Sequence, residues 1–148
     1  MGDSILALSE ASRRLVSAGN LVHSPAAGRT VLLAAVYETG LSVYLSMQAL
    51  FLHQGQHLGS LPFSNFRNAG DYLFRFTKIA SKHRIGLGEI GAFQEIFRLG
   101  MIHEKSLQPQ ILQDQIALVS LDFEHFLFLF EKATQFQNKV ANIVGKGV

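Results

Sequence analysis

Apolar residues recur at intervals of three and four along most of the chain, the period of an α-helix with one face turned inward. Five helical segments follow from that period. The first covers about residues 3–18, with Ile5, Leu8, Ala11, Leu15 and Ala18 on one face, Asp3 placed to cap its start and Gly19-Asn20 placed to end it. Ser24-Pro25 has the form of an N-cap followed by proline at the first helical position, and it opens a second segment that runs to about Gln54. This segment is apolar nearly all round: Val31, Leu32, Val36, Val43, Tyr44, Met47, Leu50 and Phe51 leave only a polar line of Glu38, Ser42 and Ser46. Such a helix belongs at the centre of a bundle. Glu38 then needs a cationic partner, and Arg98 is a candidate.

The third segment, about residues 63–83, turns Phe66, Ala69, Leu73, Phe76 and Ala80 inward, after a loop (GQHLGSLP) with two glycines and a proline. The fourth, about 89–104, does the same with Ile90, Phe93, Phe97 and Met101, and is broken before Pro109. The fifth is expected over about 110–144, where Leu112, Ile116, Val119, Phe123, Phe126, Phe130 and Ala133 alternate in steps of four and three, the pattern of a bundle seam. Phe126-Leu127-Phe128-Leu129-Phe130 holds more apolar side chains than one core face requires, so another helix or a second copy of the chain should cover them. The pattern therefore predicts an all-α, up-and-down bundle of four to five helices, a single domain over residues 1–148 with its core at about 3–144.

Composition narrows the picture. With 48% hydrophobic and 16% charged residues the chain is a packed globule and not a disordered polyelectrolyte. A net charge of +2 is too small to attract nucleic acid in bulk, so any RNA contact must rest on a local patch. The absence of cysteine excludes a disulfide scaffold, a thiolate zinc site and a cysteine nucleophile, and it fits a cytoplasmic protein. The apolar stretch 31–52 carries Glu38, Thr39, Ser42, Ser46 and Gln48, and a carboxylate at mid-span costs about 2.5–3.5 kcal/mol in lipid, so no membrane helix is expected. No targeting segment is expected, and the sequence holds no phosphate-binding glycine loop. His53/His57 and Asp122/His125 lack the further ligands that a metal site needs, so neither metal nor cofactor is expected.

Two features carry candidate chemistry. On the third segment Arg67, Asp71, Arg75, Lys78 and Lys82 follow at steps of four, four, three and four, four cations and one acid on a single face. That face is either simply solvated or a groove for an RNA backbone. On the fourth segment Arg98 and His103 are separated by four residues. An imidazole can take the proton of an attacking hydroxyl while a guanidinium holds charge on a phosphate, a combination suited to RNA cleavage by its own 2′-hydroxyl. Five helical steps turn about 500°, so the two side chains start about 140° apart. Arginine's length, a bend at Gly100 or a second subunit would have to bring them together.

The Arg98-x4-His103 spacing, late in an all-helical chain and flanked by Ile96-Phe97 and Ile102, resembles the motif of the HEPN family of small helical bundles. The resemblance implies a metal-independent endoribonuclease of a toxin or defence system, with a homodimer bringing two motifs face to face and a cognate antitoxin as a partner. It equally implies the family's non-catalytic members, dimerising or partner-binding modules such as companions of a nucleotidyltransferase. Leu99 stands where the family often has Asn, Asp or His, which favours the second branch.

Overall fold

The structure is a computed structural model and describes residues 2–22, 26–55, 69–106 and 120–146. It contains α1 (Gly2–Leu21), α2 (Arg29–His53), α3 (Ala69–Ala80), α4 (Leu87–Ser106) and α5 (Phe123–Lys146), with a 3-10 turn, Ser81–His83, directly after α3. No strand occurs among the described residues. The chain is an all-α helical bundle.

α2 lies at the centre and packs against α1, α4 and α5. Ser12 meets Gln137 and Gly19 faces Phe130, so α1 and α5 run antiparallel. Glu89 meets Lys139 and Glu95 approaches His125, so α4 and α5 do the same. α3 closes one end, where Phe76 packs edge-on against Phe51 of α2 and Phe136 of α5 at ring separations of 6.1 and 5.5 Å.

The centrality of α2 explains its composition. Val36, Val43, Met47 and Leu50 are fully buried, and so are Thr39, Ser42 and Ser46. The Thr39 hydroxyl donates to the Ala35 carbonyl at 2.8 Å and that of Ser46 to the Ser42 carbonyl at 2.9 Å. Bonded to their own helix, the Thr39 and Ser46 hydroxyls enter the core without an orphaned donor, whereas Ser42 Oγ is buried with no hydrogen-bond partner among the described residues; the small size of all three lets neighbouring helices approach. The line of Glu38, Ser42 and Ser46 thus runs from a half-buried carboxylate into the interior. α2 is also long and apolar enough to cross a membrane by length and composition, but most of it is buried inside the bundle.

Two helix starts and one buried face differ from the sequence pattern. α2 begins at Arg29 after an extended Gly28, while Ser24-Pro25 lies outside the described residues. In α1 the buried face is Ser4, Ala7, Ala11, Leu15 and Ala18, with Ile5 51% exposed. The face set by Ala11 and Leu15, traced back at the helical period, arrives at small residues and leaves Ile5 outside. α5 starts only at Phe123, since the Asp122 carboxylate accepts a 2.8 Å hydrogen bond from the His125 backbone N–H and caps the helix. The long fifth helix over 110–144 is therefore corrected: residues 120–122 are not helical, and Leu112, Ile116 and Val119 fall outside the described residues.

Candidate functional site

α4 carries both members of the Arg98/His103 pair and runs unbroken through Gly100 from Leu87 to Ser106. Without a bend, the two side chains keep their angular separation of about 140°. Arg98 reaches back one turn, away from His103, and grips Glu95 with two hydrogen bonds, Nε to Oε2 at 3.1 Å and Nη2 to Oε1 at 2.5 Å. The guanidinium holds the Glu95 carboxyl below the usual carboxylate range. Glu95 Oε1 also lies 3.8 Å from His125 Nε2, so this end of the motif belongs to the seam between α4 and α5.

His103 faces α2 instead. Its ring packs on Tyr37 at a centroid separation of 5.0 Å, tilted by 45°. Burial lowers the imidazole pKa from its ordinary value, and the charge of Glu38 opposes that shift only in part. Tyr37 is pushed up, first by its own burial and then by the charges of Glu104 and Glu38. Glu38 finds its partner on α1: Arg14 Nη1 donates to its two carboxylate oxygens at 3.0 and 3.4 Å, and Arg14 Nε donates to Glu10 at 3.2 Å. Arg14, not Arg98, is the cation beside Glu38. The reason is placement, because Arg98 lies on the α5 side of α4 whereas Glu38 lies where α1, α2 and α4 meet.

One chain thus separates the motif into a surface ion pair and a half-buried imidazole within a polar junction of Arg14, Tyr37, Glu38, His103 and Glu104. Arg14 and Tyr37 were not singled out by periodicity. The available signal was the Glu10/Arg14 spacing of four on α1, which puts the two on one face.

Arg75, Lys78 and Lys82 are exposed on α3 and the 3-10 turn. None of them is ion-paired to a carboxylate among the described side chains, whereas Arg13, Arg14, Arg98 and Lys139 all are. Arg67 and the side chain of Asp71 lie outside what is described. Lys78 Nζ stands 5.2 Å from the centre of the Phe74 ring, and Phe74 is 65% exposed. The turn is tied down by a contact between the His83 ring and the Gln54 side chain. Arg84 follows in the left-handed region at φ 59°, and its carbonyl accepts from Lys139 Nζ at 3.1 Å.

On α5, Phe126 and Leu129 are buried, but Leu127 and Phe128 remain 39% and 52% exposed. Among the described residues no three His, Cys, Asp or Glu side chains are grouped to hold a metal ion. Comparison with protein-family models, curated proteins and solved structures returns no match. The resemblance to HEPN domains therefore stands on Arg98, His103 and the helical layout.

Proposed function

We propose that this chain is an RNA-binding helical bundle whose contact face is α3 with the following 3-10 turn, and that a single copy is not a nuclease. The observation that carries the reading is the contrast between cations: Arg98, the residue suited to hold a phosphate, is engaged by Glu95, while Arg75, Lys78 and Lys82 are exposed with no described carboxylate against them. A small net charge with exposed cations gathered on one short element favours a local backbone contact. The direct test is filter binding of single-stranded RNA to wild type and to Lys78→Ala with Lys82→Ala. Weakened binding by the double variant supports the reading, and undiminished binding refutes it.

Metal-independent cleavage is the second reading, and His103 is the observation that favours it. Burial lowers its pKa and so favours the neutral imidazole, the form a general base requires. An arginine would have to come from a second copy, for which the exposed Leu127 and Phe128 offer apolar surface. In this reading the protein is a homodimer, an endoribonuclease of a toxin or defence system working in the cytoplasm. The non-catalytic counterpart is a dimerising companion of a partner such as a nucleotidyltransferase. A time course on mixed RNA in excess chelator, wild type beside His103→Ala, separates them: cleavage lost in the variant, with 2′,3′-cyclic phosphate ends in wild type, supports catalysis. Intact RNA in both supports the non-catalytic bundle.

A further inference from the structure

Phe74 breaks the pattern of its helix. Tyr72, Leu73, Phe76, Ile79 and Ala80 of α3 turn inward, yet Phe74 stands 65% exposed beside Arg75 and under the ammonium of Lys78. A phenylalanine left in water forgoes the free energy of burial, and among the described residues nothing in the packing of α3 requires it there. An aromatic face interleaved with cations is the arrangement that takes single-stranded nucleic acid, with a base stacking on the ring and the adjacent phosphate meeting the cation. The described residues around it, Arg75, Thr77, Lys78 and Ser81, are polar and exposed, and among them there is no apolar band of the kind by which an amphipathic helix sinks into a lipid surface.

We propose that Phe74 is a base-stacking platform and that the α3 face prefers single-stranded RNA to duplex; this rests on the RNA-binding reading above. Lys78 is the complementary part. Its flexible ammonium covers the ring in the free protein, and an arriving base displaces it onto the phosphate backbone. The bases of a duplex are stacked on each other and cannot reach the ring, so a duplex is held by the cations alone. Every base has a stacking face, so the platform tolerates any sequence.

The test compares fluorescence anisotropy with a labelled oligouridylate, an abasic strand of equal length, a duplex RNA and anionic phosphatidylserine vesicles. Wild type is expected to bind the oligouridylate more tightly than the abasic strand or the duplex. Phe74→Ala should lower oligouridylate affinity by about 10-fold, within the range of one stacked base, and leave abasic affinity unchanged. Phe74→Tyr should retain it. Phe74 is exposed, so the variant is expected to fold, and circular dichroism checks this. Equal effects of Phe74→Ala on both strands, or none on either, would overturn the platform while leaving the RNA-binding reading standing. No binding of any RNA by wild type would overturn both, and tighter binding to vesicles than to RNA would assign the face to lipid and overturn the platform.

Discussion

Removing the Glu38 carboxylate as Glu38→Gln leaves Arg14 with Glu10 as its one remaining ion-pair partner among those seen here, and the consequence can be sized from the geometry. The Glu38 side chain is 19% exposed and that of Arg14 39%, with Nη1–Oε2 at 3.0 Å. Two charges about 4 Å apart at an effective dielectric of ~20 attract by about 4 kcal/mol before desolvation and side-chain ordering are subtracted. Fully exposed pairs retain roughly 0.2–1 kcal/mol of this, and truncating one member of a buried pair costs about 3–5 kcal/mol. Arg14 is open enough for water to screen it, so we expect a coupling near the top of the exposed range, about 1 kcal/mol, and a cost of about 1–2 kcal/mol for Glu38→Gln alone. For a domain of this length that is a fall in Tm of about 2–4 °C per kcal/mol. The assay is urea and thermal unfolding followed by circular dichroism, in a double-mutant cycle of Glu38→Gln with Arg14→Met and a control cycle with Arg98→Met. Coupling should be measurable in the first cycle and near zero in the second. Coupling confined to the Arg98 cycle would refute the placement of Glu38 at the α1/α2/α4 junction.

Phe136→Ala should destabilise by about 3–5 kcal/mol, because it empties a site packed by the rings of Phe76 and Phe93, and a fall of under 1 kcal/mol in urea unfolding would argue against that core. Burial lowers the pKa of both His103 and His83, so the unfolded chain binds protons more readily than the folded one as pH falls. Their contribution is therefore fully present above about pH 6.5 and is lost on acidification toward the folded values; His103→Gln should flatten the slope of unfolding free energy in that window, and an unchanged slope would contradict the half-buried imidazole. Light scattering at micromolar concentration should report a dimer, reduced to monomer by Leu127→Ser with Phe128→Ser; a monomeric wild type would leave those side chains without the partner suggested for them.

Helical periodicity made the bundle legible, and the near-total apolarity of the segment from Val31 to Phe51 pointed to its central helix. Boundaries were harder to read. Asp122 is a good cap in a stretch whose apolar spacing continues on both sides of it, so spacing alone carries the helix through a stop that one carboxylate makes. The site was legible as residue types and not as contacts. Four intervening residues between Arg98 and His103 say how far apart they lie on one helix, but not that Glu95, one turn back, is what the guanidinium grips. The partner of Glu38 was equally out of reach, because Arg14 is 24 positions away and only the packing of α1 on α2 brings it in. Phe74 was not singled out by the periodicity of its segment, and its place off the inward face has meaning only once its exposure is known.

The central claim, that the α3 face and not Arg98 meets the RNA backbone, is tested most directly by the salt dependence of binding. Affinity for single strands falls with salt at a log–log slope of about −0.7 per phosphate neutralised, so contacts from Arg75, Lys78 and Lys82 correspond to a slope of about −2. Lys78→Ala with Lys82→Ala should reduce that slope to about −0.7, while Arg98→Ala leaves it unchanged. A slope that collapses with Arg98→Ala and survives the loss of both lysines would contradict the account.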